Sequence, residues 1–267
     1  MCRLLAYTGK SVRLKRLLLD PEHSLEVQSY APKEMLEAQV NVDGFGCGWY
    51  NHDIASIPGV YTSLNNLWSD NSFQSISKIV CSKHVFASVR NATPPSPVDE
   101  QSIQPFTKGP YMFMHNGHIK KYHRKLKRTL NDLIPDDLYT TLYSHADSAT
   151  IFLLLFDKLR NGSPTLDNMT RSLLDTIYLI AEYSAEAGVV CHLNLALTNG
   201  KDIIFTRYSN TDESNTLYYL EDGEQFPESV VIASEPLNGD TGWQALSQNH
   251  LLTVSASGDI NTKKIEG

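Results

Sequence analysis

Apolar positions along the chain fall into two periods, one of two residues and one between three and four. Arg3-Leu4-Leu5-Ala6-Tyr7 follows Cys2 as a short, largely apolar run ended by Thr8-Gly9, the pattern of a buried strand that starts almost at the first residue. Chain ends normally fray at the surface, so an amino end tied into a core points to a task for residue 1 or 2. Further strands are expected at residues 84–89, stopped by Arg90-Asn91-Ala92-Thr93-Pro94-Pro95, and at residues 111–115, broken by Asn116-Gly117. Others are expected near residues 189–198, 203–207, 217–219, 230–234 and 251–254. Helical spacing is seen at residues 12–19, 33–39, 71–81, 119–130, 151–159 and 166–186, with Asp147 or Ser148 near the start of the fifth. Asp43-Gly44-Phe45-Gly46-Cys47-Gly48-Trp49-Tyr50 alternates glycine with large residues, as where a backbone entering a strand passes close to another segment or a ligand. Strands first and last with helices between them fit a layered α+β domain better than regular βαβ alternation.

With 267 residues, no internal repeat and no Gly-, Ser- or Pro-rich linker, the chain is read as one domain spanning residues 1–267. A formal net charge of -7 has the wrong sign for a nucleic-acid protein. One local exception, the basic run from Lys120 to Arg128, is read as a solvated helix face. Four cysteines without paired spacing and the lack of an apolar signal segment place reduced thiols in the cytoplasm. The longest apolar stretch, residues 151–156, falls short of the roughly 20 residues a membrane span needs.

The candidate chemistry begins at Cys2. A small second residue permits removal of Met1, which leaves one residue bearing both a thiol and an α-amine. An α-amine with an ordinary pKa of about 7.7–8.0 is poised to take the thiol proton near neutral pH. Asn116-Gly117 offers an amide side chain and an unhindered backbone N–H for an oxyanion, and is equally the sequence of a turn. Arg90 suits a carboxylate or a surface ion pair, and Asp147 an ammonium or a helix cap. Cys47, Cys81 and Cys191 lie in apolar contexts and are expected in the core. Trp49, Tyr50 and Trp243 either fill the core or line a pocket. His115, His118 and His123 lack the cysteine pair or His-Glu-x-x-His frame of a zinc site, and the glycines lack the spacing of a nucleotide loop, so no metal or cofactor is expected.

Cys2, the run from Val89 to Thr93, His115-Asn116-Gly117-His118-Ile119 and Ala146-Asp147-Ser148 occur in the order found in class II glutamine amidotransferases, which the chain resembles from residue 2 to about residue 255. The opening MCRLLAY, DGFGCGWY at residues 43–50 and ASEPL at residues 233–237 followed by Trp243 resemble that family's stand-alone branch, which includes the ergothioneine-biosynthesis amidohydrolase and a relative involved in glutathione breakdown. The resemblance implies a four-layer αββα sandwich of the N-terminal-nucleophile (Ntn) hydrolase type, with two antiparallel sheets between helical layers. It implies Cys2 as nucleophile with its own amine as base, Asn116 and Gly117 as oxyanion hole, and Arg90, Thr93 and Asp147 on the substrate. Pro94-Pro95 and Asn91 depart from the family pattern, where many relatives carry His or Gly after the threonine and an aromatic residue after the arginine. The expected activity is hydrolysis of a γ-glutamyl amide through a thioester. The alternatives are a glutaminase subunit handing ammonia to a partner synthase and an inactive regulatory homologue; a homodimer is compatible with each.

Overall fold

Residues one apart on a strand point to opposite faces of a sheet, and the buried side chains sort by that parity. The computed structural model describes residues 2–34, 40–92 and 98–266. Among these, the strands in chain order are β1 (Arg3–Arg13), β2 (Phe45–Trp49), β3 (Gly59–Ser63), β4 (Cys81–Val89), β5 (Phe106–Lys108), β6 (Tyr111–Ile119) and β7 (Cys191–Thr198). They continue with β8 (Ile203–Arg207), β9 (Tyr218–Glu221), β10 (Ser229–Ala233), β11 (Gln244–Ala245), β12 (His250–Val254) and β13 (Ile260–Lys264). The helices are α1 (Leu14–Leu18), α2 (Leu25–Tyr30), α3 (Asn71–Ile76), α4 (Tyr122–Lys125), α5 (Lys127–Asn131), α6 (Asp136–Tyr139), α7 (Asp147–Leu159) and α8 (Leu166–Glu186).

Two sheets form, one of seven strands in the order β11-β9-β10-β1-β4-β2-β3 and one of six in the order β13-β12-β8-β7-β6-β5. Neighbouring strands pair antiparallel in both. Leu4, Ala6, Phe86 and Ile232 of the first sheet meet Met112, Met114, Phe205 and Leu252 of the second in one buried cluster, so these inner faces are packed together. The alternate residues Leu5, Tyr7, Val85 and Val231 pack instead with Leu14, Leu17, Leu25 and Phe73 of the helices α1 to α3 and their flanks. On the outer face of the second sheet, Phe113, Leu193, Leu195 and Ile204 pack with Ile151, Leu155, Leu173 and Ile177 of α7 and α8. Three interlayer cores therefore separate four layers, the αββα sandwich expected from the resemblance. Each fully buried Leu or Phe contributes about 1.5–3 kcal/mol to this packing.

Several local expectations change. β1 does not stop at Thr8-Gly9 but runs to Arg13, with a register shift against β4 between Thr8 and Val12. Asn116-Gly117 is no turn: β6 passes straight through it, pairing Asn116 with Asn194 and Gly117 with Leu193. A Cβ on Gly117 would lie 1.9 Å from the His192 carbonyl oxygen, so this glycine serves the close approach of β7 and not chain reversal. The helix expected at residues 119–130 is split into α4 and α5, and that at residues 12–19 shortens to α1. The expected helix at residues 33–39 lies partly outside the described residues, and α2 precedes it. Cys47 and Cys191 are buried as expected, whereas Cys81 is exposed. Tyr50 is buried in the inter-sheet core, whereas Trp49 and Trp243 are partly buried against the α1-to-α3 core. Among the described residues no helix is long and apolar enough to cross a membrane.

Candidate active site

The parity that turns Leu4 and Ala6 toward the opposite sheet applies also to Cys2, which packs against the inter-sheet cluster at its edge and is partly exposed. Asn116 continues the series Met112, Met114 on β6, and Asn194 opposes it on β7. Ser234 continues Val230 and Ile232 at the end of β10. At one end of the sandwich, apolar residues on the two inner faces thus give way to Cys2, Asn116, Asn194 and Ser234.

Hydrogen bonds lock this end. The Ser234 hydroxyl accepts from the Leu4 backbone N–H at 2.9 Å and from Asn116 Nδ2 at 3.3 Å, joining the strand that carries Cys2 to the opposite sheet. Ser234 N–H returns a bond to the Leu4 carbonyl at 2.9 Å. Asn215 Nδ2 donates to the Asn116 side-chain oxygen at 3.3 Å and to its backbone carbonyl at 3.1 Å. With its oxygen held by Asn215 and one amide hydrogen given to Ser234, the Asn116 carboxamide has a single orientation. Gln104 bonds both the N–H and the carbonyl of His115, fixing β6 immediately before Asn116.

Arg90 follows the last residue of β4 and is buried. Arg3 and Val89 are the last ladder pair between β1 and β4, so Cys2 and Arg90 each stand one residue beyond it. The Arg90 backbone is clamped by the Asp43-Gly44 entry to β2: Asp43 N–H donates to the Arg90 carbonyl at 3.0 Å and Arg90 N–H to the Gly44 carbonyl at 2.8 Å. Asp43 Oδ2 also accepts from Ala92 N–H at 2.7 Å. Gly44 has φ +108, and a Cβ there would lie 2.7 Å from the Ser63 carbonyl, which explains the glycine. Thr93 lies outside the described residues.

Asp147 opens α7 and ties it to the end of β6, with Oδ2 accepting from Ile119 N–H and Oδ1 from Ser148 N–H, each at 2.8 Å. Its neighbour Ser148 bonds His115 Nδ1 at 2.9 Å, while His115 Nε2 lies 2.9 Å from the His192 carbonyl. Burial holds the His115 imidazole below its ordinary range against the pull of the Asp147 charge and the His192 carbonyl. Both of its ring nitrogens are engaged in these bonds. Burial alone drives the Cys47 thiol far up, and raises Cys191 as well, which leaves these two thiols protonated near neutral pH.

Of the residues singled out in the sequence, the fold brings Cys2, Asn116, Gly117 and Arg90 to the ends of β1, β6 and β4, and Asp147 onto the end of β6. Ser234, Asn215, Gln104 and Asp43 were not singled out as site residues. Asp43 and Ser234 lie within the DGFGCGWY and ASEPL segments, which is the signal that could have found them. A thiol at the end of β1, on a strand tied through Ser234 to the Asn116 amide, is the kind of group that can carry out acyl transfer on an amide.

The sequence profile of the class II glutamine amidotransferases matches residues 1–266. The chain is similar to the gamma-glutamyl-hercynylcysteine sulfoxide hydrolase of Mycobacterium tuberculosis (strain CDC 1551 / Oshkosh), at 31% identity over 97% of this chain and 94% of the relative. It is also similar to the probable glutamine amidotransferase DUG3 of Saccharomyces cerevisiae, at 30% identity over 95% of this chain and 82% of the relative. Among solved structures, a glutamine aminotransferase class-II domain protein from Silicibacter pomeroyi shares the fold, with a TM-score of 0.70 over 100% of both chains at 20% identity.

Proposed function

Because the chain belongs to the class II glutamine amidotransferase family, we propose that it is a cysteine-dependent hydrolase of γ-glutamyl amides, acting on a γ-glutamyl metabolite such as the sulfoxide named in its mycobacterial relative. The observation that carries this reading is the Leu4–Ser234–Asn116 link, which brings the strand bearing Cys2 and the Asn116 amide together across the two sheets.

Once Met1 is removed, the Cys2 amine takes the thiol proton and the thiolate attacks the γ-carbonyl carbon. Asn116 Nδ2 and the Gly117 N–H receive the negative charge on the carbonyl oxygen. The ammonium formed on Cys2 gives its proton to the leaving nitrogen as the C–N bond breaks, leaving a γ-glutamyl thioester. Water, deprotonated by the same amine, attacks the thioester, releases glutamate and restores the thiol. Arg90 and Thr93 hold the substrate α-carboxylate and Asp147 its α-ammonium. In this reading residues 1–267 are one domain working in the reducing cytoplasm, and the leaving amine goes to solvent without a partner synthase.

The test is to incubate the purified protein with glutamine, glutathione and other γ-glutamyl compounds and to quantify glutamate and the released amine. Cys2→Ala should lower the rate by about 1000-fold or more with no loss of fold. Activity in that variant close to wild type removes Cys2 from the mechanism. Hydrolysis of glutamine alone, rising on addition of an ammonia-using synthase, favours the glutaminase subunit instead.

A further inference from the structure

The ASEPL segment contributes more than Ser234. Arg3, the residue after Cys2, sends its side chain to the opposite face of β1, where it is fully buried with Nε 3.0 Å from Glu235 Oε1. Glu235 is 1% exposed. Its carboxylate also meets His23 Nε2 at 2.7 Å and accepts the backbone N–H groups of Lys33 at 2.8 Å and Glu34 at 3.1 Å. Arg3 Nη2 donates to the Glu34 carbonyl at 3.1 Å, so Glu34 is gripped by both members of the pair and Lys33 by Glu235. The Glu34 carboxylate is held in turn by the Tyr218 hydroxyl at 2.8 Å.

Burial works to raise the Glu235 carboxyl, but the bond to His23, the Lys33 N–H, the Arg3 charge and the Glu34 N–H outweigh it and hold the group below its ordinary range. A buried ion pair is often no more stabilising than two apolar residues of the same size. What an apolar pair cannot supply here is a fork that fixes residue 3 and the 33–34 backbone at once. Cys2 lies outside the β1–β4 ladder, whose last pair is Arg3 with Val89, so its placement depends on whatever holds Arg3.

We propose that Glu235 is a positioning residue for Cys2, which orients and neutralises the Arg3 guanidinium against the 33–34 backbone and thereby holds the neighbouring residue 2 in one arrangement. The inference rests on the reading of Cys2 as nucleophile. The other ionisable groups around the pair are Cys2 itself, His23 ahead of α2, Lys33 and Glu34 after it, Tyr218 of β9, and Arg207 of β8 facing Glu34.

Glu235→Gln keeps the shape and removes the negative charge, which leaves a buried cation beside the Cys2 thiol and amine. That cation favours the thiolate and disfavours the ammonium. The pH midpoint for alkylation of Cys2 by iodoacetamide, followed by mass spectrometry on the amino-terminal peptide, should therefore fall by about half a pH unit or more. With γ-glutamyl-p-nitroanilide as probe, kcat should drop about 10- to 100-fold with KM changed little. In Arg3→Met/Glu235→Gln both charges are gone, so the midpoint should return to the wild-type value while kcat stays low because the fork is still absent. This double variant carries the test if the single one does not fold. An unchanged alkylation midpoint in Glu235→Gln, or wild-type kcat in the double variant, overturns the proposal. Alkylation needs no substrate, so a failure of the γ-glutamyl reading, seen as hydrolysis surviving Cys2→Ala, is distinguished from a failure of this one.

Discussion

The Asn116 carboxamide and the Ser234 hydroxyl meet 3.3 Å apart across the space between the two sheets. The same hydroxyl accepts the Leu4 N–H, two residues from Cys2. One oxygen atom thus sets how far the candidate nucleophile's strand stands from the candidate oxyanion donor. Ser234→Ala leaves the Leu4 N–H and one Asn116 hydrogen without this acceptor, a loss of about 1–3 kcal/mol. The expected outcome is a kcat about tenfold lower with a modest fall in Tm. Steady-state kinetics and thermal denaturation check it, and a kcat equal to wild type would show that the link does not set the geometry of the reaction.

Gly117→Ala tests the close approach of β6 and β7. The new Cβ falls 1.9 Å from the His192 carbonyl oxygen, inside any real contact, and the obstacle is backbone. The ladder there must open, at an expected cost of about 3 kcal/mol or more, read as a lower urea midpoint. A variant as stable as wild type would mean that β7 yields without loss.

Arg90→Lys and Asp147→Asn separate binding from chemistry. A lysine keeps the charge but not the planar fork, so KM for the γ-glutamyl probe should rise about tenfold or more with kcat less affected. Asp147→Asn should raise KM likewise. It keeps a side-chain oxygen for only one of the Ile119 and Ser148 N–H groups, so it also predicts a lower Tm. A fall in kcat with KM unchanged in both variants would move these residues from substrate binding to the chemical step.

Acid sensitivity follows from His84. Burial, with the nearby charges of His52 and Lys83, holds this imidazole down at about 4, against an ordinary value of 6.5, while Asp202 pulls the other way. Between those two pH values the unfolded chain takes up a proton that the folded protein refuses. Stability is therefore full above pH 6.5 and declines as pH falls toward 4, by up to about 3 kcal/mol for this one group. Urea midpoints at pH 7.5 and pH 5 should differ less in His84→Asn than in wild type. Equal pH slopes in the two proteins would refute the assignment.

The inner strands are legible in the sequence because both of their faces are covered, so they read as apolar runs, as in residues 203–207 and 230–234. Four strands, β3, β5, β11 and β13, leave no such signal, and they are the four edges of the two sheets. β13 shows why: Ile260 is partly buried, while Asn261, Thr262, Lys263 and Lys264 are exposed. A strand with an open side does not need apolar residues to be held, and charge there discourages pairing with another chain. Asn116-Gly117 reads as a turn because the dipeptide carries that local preference, while the reason for Gly117 is a carbonyl 75 residues further along, at His192. Cys2, Asn116, Gly117, Arg90 and Asp147 stand out as candidates through the motif order that resembles the family. The roles of Ser234 and Glu235 are not legible in the sequence, because they rest on partners such as Leu4, 230 positions away in sequence.

The position of β1 in its sheet, between β10 and β4, has a bearing on the order of events at the ribosome. A polypeptide emerges amino end first. Its leading strand can find β4 early, but the flank destined for β10 stays open until residues 229–235 have been made. Up to that moment Cys2 lacks the Ser234 anchor, and Arg3 waits for Glu235. Strand β1 is thus held on both flanks only after residues 229–235 have joined the sheet.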